Sequence, residues 1–165
     1  MDDLTRLVIE NECKKLMTLY CWHIDHLDPA AFAELFAEDA EYKPSVEPKP
    51  IVGQGSIRRW AEAYPKRFLS RHVSTNQFVE VVDENHARGV SYAIVWRDSE
   101  PADDAVSANV TPRSLVEYVD TFRRTPGGWR FATRYYRMLF LQEDAAQRPE
   151  RWTGFPATSG SLRVI

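Results

Sequence analysis

Neutral imidazole, with an ordinary pKa near ~6.5, takes and returns protons at neutral pH, so the four histidines of the chain come first. His72 stands in Arg71-His72-Val73-Ser74-Thr75-Asn76, where helical patterning gives way to strand patterning. A histidine there is either a base at the bottom of a pocket or a core residue with its hydrogen bonds satisfied, and taken alone the second is the commoner outcome. His23 and His26 hint at a metal, but no third ligand accompanies them, so no metal is expected. His86 follows the turn Asp83-Glu84-Asn85 and is expected on the surface. Three further side chains could act with a base. Asp25, near the end of a helical pattern, is by itself a capping or solvated carboxylate. Tyr20 is by itself a core residue, and Arg134 the partner of a carboxylate on a neighbouring strand. Gly53 and Gly55 make no phosphate loop, because the Lys-Ser/Thr that should follow is absent.

The elements that must position these residues read in order from periodicity. Residues 3 to 27 form a helix, with Leu4, Leu7, Val8, Leu16, Leu19, Tyr20, His23, Ile24 and Leu27 at spacings of three and four, capped by Asp2 or Asp3. Asp28-Pro29 starts a second, short helix that buries Phe32, Leu35 and Phe36 and stops near Asp39. Glu41 to Lys43 is a short strand, and three prolines with Ser45 make a loop of 44 to 50. A third helix follows Gly53 and Gly55, with Ser56 as its cap and Ile57, Trp60, Ala61 and Tyr64 as its stripe, ending by Pro65.

Strands follow over 72–82, 87–97, 113–124 and 129–141. Thr125-Pro126-Gly127-Gly128 is a hairpin turn, and the acidic stretch 99–109 a loop. In the first strand, alternation puts His72, Ser74, Asn76 and Phe78 on one face and Val73, Thr75, Val79 and Val81 on the other. In the last, Trp129, Phe131 and Tyr135 share one face, with Arg134, Tyr136, Met138 and Phe140 on the other. Three helices before an antiparallel meander make an α+β domain. With both faces of the late strands apolar, one is expected on the helices and the other against further copies of the chain, a homodimer or homotrimer.

The totals agree with one domain: 165 residues, 44% hydrophobic, 27% charged. Five Trp, seven Tyr and eight Phe suit a core or a ring-lined cavity. A net charge of −3 without a basic stripe argues against nucleic acid. Cys13 and Cys21, eight apart on one helix, lie ~12 Å from each other and cannot bridge, so reduced thiols and a cytoplasmic setting are expected. The polar start MDDLTRLVIENE reads as no signal peptide, and no apolar run approaches the ~18 residues of a membrane span.

Four marks in order carry a family resemblance: Tyr20-Cys21-Trp22-His23-Ile24-Asp25 closing the first helix, Phe36-Ala37-Glu38-Asp39-Ala40 after the second, Arg71 to Asn76 opening the sheet, and Gly127-Gly128-Trp129-Arg130-Phe131 in the last hairpin. Over roughly residues 5 to 142 the chain resembles the SnoaL-like family of the nuclear transport factor 2-like superfamily. The resemblance implies a cone: three N-terminal helices on a curved, mostly antiparallel sheet around an apolar pocket. The domain is then 1–143, with 144–165 a tail that covers the pocket or an interface. Relatives include scytalone dehydratase, bile-acid 7α-dehydratase and hexachlorocyclohexane dehydrochlorinase, beside isomerases, polyketide cyclases and members of no known reaction, so the site must decide the function.

The resemblance implies that His72 is a base and Asp25 its orienting partner, as in the eliminating relatives. Tyr20 matches the tyrosine five before the aspartate in the bile-acid enzyme, and Arg134 the arginine five after the hairpin tryptophan in the dehydrochlorinase. The second pocket histidine of scytalone dehydratase has no counterpart. Such a site removes water or a halide without a cofactor: His72 takes a proton from carbon, Tyr20 protonates the leaving group or holds a carbonyl oxygen, and Arg134 steadies negative charge. Asn76, Tyr42, Trp96, Tyr118, Tyr136 and Met138 are expected to hold a small hydrophobic or polycyclic substrate. An isomerase or cyclase in the same pocket, and a non-catalytic binding module, are the alternatives. On an ideal helix five steps turn Asp25 about 140° away from Tyr20, so the helix end is expected to bend or unwind there.

Overall fold

The computed structural model describes residues 1–65, 68–102 and 106–142. Helix α1 spans Asp3–Asp25, α2 Pro29–Glu34 and α3 Gln54–Glu62. The strands are β1 Phe36–Lys43, β2 Ile51–Val52, β3 Leu69–Val81, β4 His86–Asp98, β5 Ser114–Thr125 and β6 Gly128–Leu141. They form one six-stranded sheet in the order β2-β1-β6-β5-β4-β3, curved and open, antiparallel except where β1 runs parallel to β6. The expected α+β class and helix-on-curved-sheet architecture hold. The tail 144–165, and with it the domain limit at 143, lie outside the described residues.

Asp2 caps α1 by accepting from the Thr5 backbone N–H at 2.8 Å and from its hydroxyl at 2.9 Å. The helix buries Ile9, Cys13, Leu16, Met17, Tyr20, Cys21 and Ile24, one face that packs chiefly on β3. Leu4, Leu7 and Val8 do not join that stripe and are exposed, because buried contacts begin only at Ile9. Both thiols are free and buried, and burial pushes Cys13 up to about 12 and Cys21 up to about 11, which keeps them protonated and inert. The inner face of β4 is trimmed to receive α1. A Cβ on Gly89 would come within 2.7 Å of the Met17 methyl, 2.8 Å of the Phe78 carbonyl oxygen and 3.2 Å of the Phe122 ring, so only glycine fits there.

Helix α2 ends earlier than periodicity suggests. Leu35 is its C-cap and Phe36 already belongs to β1. The cause is tertiary: the Leu35 carbonyl accepts from the Phe131 N–H at 2.9 Å, so β6 draws this segment into the sheet. Helix α3 starts at Gln54 on Gly53 (φ 86°) rather than on a Ser56 cap.

The strand faces also depart from simple alternation. Pairing of β3 with β4 shifts register between Thr75 and Phe78, at Asn76, whose φ is +51°. This bulge turns Val79 and Val81 onto the buried face that His72 and Ser74 occupy and leaves Asn76 and Phe78 exposed. A second shift puts Phe131 opposite Phe122 but Thr133 opposite Thr121, skipping Ala132. Trp129 and Phe131 therefore share a face with Arg134 and Tyr136, and Tyr135 takes the other, where its hydroxyl bonds Glu41.

Candidate functional site

The last residue of α1 meets the start of β3. Asp25 Oδ1 lies 2.6 Å from His72 Nδ1, and Asp25 Oδ2 accepts from the His72 backbone N–H at 2.7 Å. The two side chains are 6% and 10% exposed, so bulk water does not compete for the contact. An ionised carboxylate only accepts, so Nδ1 carries a proton, and in the neutral ring Nε2 is the atom that presents a lone pair. Among the described residues Nε2 has no hydrogen-bond partner, and the ring lines a cavity of about 130 Å³. Helix α1 does not unwind to make the contact, since the His26 N–H still bonds the Trp22 carbonyl at 3.1 Å. Tyr20 and Asp25 instead diverge, one toward β1 and the other toward β3, with Ile24 on the cavity wall between them.

At the buried end of the cavity the hydroxyls of Tyr20 and Tyr42 lie 2.8 Å apart, both rings at 2% exposure or less. Tyr118, Tyr136 and Met138 line the same space. Burial holds the Tyr20, Tyr42 and Tyr118 phenols well above the ordinary tyrosine range and Tyr136 at about 12, so all four keep their protons. Trp60 of α3 and Tyr64, just past the end of that helix, close one side. They were visible as that helix's apolar stripe, but periodicity does not tell a cavity wall from a core.

Two expected pocket residues lie elsewhere. Asn76 is exposed on the bulge, where its side-chain oxygen accepts from the Thr75 hydroxyl at 3.1 Å. Trp96 pairs opposite Arg71 on the outer face, and its indole N–H donates to the Val110 carbonyl at 3.1 Å. The inward neighbours of Trp96, Val95 and Arg97, line the cavity in its place.

Arg134 is fully buried behind the cavity rather than on its wall. Its guanidinium carbon sits 4.0 Å from the centroids of both the Tyr20 and Tyr118 rings and 4.6 Å from that of Phe131. Its Nη1 is 3.5 Å from Asp120 Oδ2, the carboxylate opposite it on β5. Burial pushes the Asp120 carboxyl up to about 7 while the guanidinium draws it down. No hydrogen bond satisfies either side chain among the described residues.

Near the open end Arg97 and Arg113 also line the cavity, and neither stood out in the sequence. The readable signal for Arg97 was its place in the inward series Ala93, Val95, Arg97. His86 sits exposed against Asp83, and His26 stacks on Trp22 at 3.9 Å. No cluster of three metal-ligating side chains occurs among the described residues. Among the same residues, no helix is long and apolar enough to cross a membrane.

Residues 5–135 match the family model of the SnoaL-like domain. No curated protein matches the chain. Among solved structures, an NTF2-like protein with a cystatin-like fold from Novosphingobium aromaticivorans is 26% identical at a TM-score of 0.66, over 88% of this chain and 94% of that one. A scytalone dehydratase-like protein from the same organism is 22% identical with a TM-score of 0.74, over 92% and 97% of the two chains. A hexachlorocyclohexane dehydrochlorinase from Novosphingobium barchaimii is 19% identical with a TM-score of 0.69, over 88% and 97%.

Proposed function

The chain belongs to the SnoaL-like family, and on that premise we propose that it is a cofactor-independent lyase, dehydratase-like, working on a small hydrophobic molecule through His72 and Asp25. The carrying observation is the 2.6 Å contact of His72 Nδ1 with Asp25 on a ring that also lines a cavity. His72 Nε2 takes a proton from carbon, the C–H electron pair becomes the new double bond, and the neighbouring C–O bond breaks. Asp25 stabilises the imidazolium that forms. Where Tyr42 donates to Tyr20, the Tyr20 proton is free to pass to the leaving oxygen, which departs as water. Solvent exchange then returns a proton to Tyr20 and removes one from His72. Arg134 acts through the ring it stacks on, its charge easing the loss of the Tyr20 proton that burial otherwise opposes. The named scytalone dehydratase-like and dehydrochlorinase neighbours, both eliminating by name, support this class.

Cavity size narrows the substrate. A space of about 130 Å³ compares with the roughly 150 Å³ that takes up benzene, so a single ring is preferred to a polycycle. The test is a panel of monocyclic β-hydroxy carbonyl compounds followed by product mass. Loss of water that disappears in His72→Gln supports the lyase. Turnover unchanged in that variant sinks it. A product that keeps the water and takes up solvent deuterium makes the protein an isomerase.

A further inference from the structure

The open end of the cavity carries more positive charge than an elimination from a neutral molecule uses. β3 and β5 begin, and β4 and β6 end, at the same end of the sheet, since Ser70 pairs with Arg97 and Ser114 with Leu141. His72 pairs with Val95, so Arg97, two residues further along β4, lies ~7 Å outward of the His72 level. Arg113, whose N–H bonds the Val95 carbonyl at 2.7 Å, precedes Ser114 at the same end. Both arginines line the cavity and both are half-buried.

Arg97 is held in place by neutral partners, with no ion pair among the described residues. Its Nε donates to the Ser70 hydroxyl at 3.0 Å, its Nη2 to the Tyr64 hydroxyl, and its guanidinium carbon lies 5.1 Å from the Phe68 ring centroid. The Arg113 side chain makes no hydrogen bond among the described residues, and no carboxylate among them forms an ion pair with either arginine. An apolar, ring-sized space floored by tyrosines thus opens between two guanidinia that meet no carboxylate among the described residues. Arginine pairs favour planar oxyanions, which they meet with parallel N–H donors.

We infer that the cavity takes an anionic ligand, a single-ring carboxylic acid whose ring lies among Tyr42, Tyr118 and Tyr136 and whose carboxylate lies between Arg97 and Arg113. This rests on the proposed reaction for the choice of reacting end, with His72 facing the ring and the acid group turned to the opening. Binding of the acid does not require that reaction to occur.

The experiment titrates the full chain with benzoate, phenylacetate and 3-phenylpropionate, and separately with their uncharged amides, by NMR. The acids are expected to bind about tenfold more tightly than the matched amides, the scale of one charge-assisted contact. Arg113→Gln, which breaks no hydrogen bond among the described residues, is expected to remove most of that preference, weakening the acids far more than the amides. Arg97→Lys, which keeps the charge but not the planar fork, is expected to remove part of it. Equal binding of acids and amides overturns the inference, as when acidic residues of the chain already neutralise the two guanidinia. So does equal weakening of both series in Arg113→Gln, or no binding of any acid. Acid selectivity without any elimination would sink the proposed reaction alone, and His72-dependent turnover confined to neutral molecules would sink this inference alone.

Discussion

Asp25 gives both carboxylate oxygens to one residue, Oδ1 to the His72 ring and Oδ2 to the His72 backbone N–H. One side chain therefore does two things. It selects the imidazole tautomer, and it ties the end of α1 to the start of β3 across 47 residues of sequence. Aspartate is short enough to do both only because it sits on the last residue of the helix, beside a strand that runs past it.

Substitution separates the two roles. Asp25→Asn keeps an oxygen for the backbone N–H but turns an amide N–H toward Nδ1, so the ring proton moves to Nε2 and the base is lost. Activity is expected to fall by roughly 10² to 10⁴ with the fold intact. Nitrogen-15 shifts of the His72 ring, which need no substrate, should report the tautomer change. An unprotonated Nε2 in both proteins would contradict the role given to Asp25. Asp25→Ala removes both contacts and is expected to cost about 1–3 kcal/mol of stability as well.

The buried Asp120–Arg134 pair predicts a pH dependence of stability. The folded-state pKa of Asp120 is raised, to about 7, above the ordinary 3.8. Its contribution is therefore fully present below pH ~4 and is lost as pH rises to about 7, because the folded state there holds a proton that the unfolded state has released. The slope approaches 1.4 kcal/mol per unit at most, about what one proton allows. Denaturant titrations of the parent chain and Asp120→Asn should differ by a term that falls across that window and is flat above it. A difference that rises with pH would mean that Asp120 is ionised in the fold throughout.

An apolar row crosses the outer face of the sheet. Val73 pairs with Ile94, Ile94 with Leu115 and Leu115 with Phe140, and the two ends of the row are 50% and 69% exposed. We expect this row to be the contact of a homodimer or homotrimer. Light scattering should give a multiple of 19.1 kDa, and Phe140→Asp should return the chain to that mass with unchanged circular dichroism. A parent chain already at 19.1 kDa would refute it.

Local pattern in the sequence was enough for the three helices, the four long strands and the turn after Thr125, because hydrophobic period and turn chemistry act over neighbouring residues. The order of the motifs likewise paired His72 with Asp25 and set Tyr20 near them, and Tyr42, Tyr118 and Tyr136 were expected at the pocket they line, whereas Tyr64 was read only as part of a helix stripe. Tertiary structure decided the rest, through contacts between residues far apart in the chain. β6 captures Phe36 from the expected helix, and its pull is invisible at residue 36. The bulges at Asn76 and Ala132 each add one residue to a strand, and one residue reverses every later face. Asn76 thus leaves the cavity face, and Arg134 comes to share a face with Phe131. Alternation alone could not set those faces, because a bulge leaves the types and spacing of the residues as they are and changes only which partner each one meets.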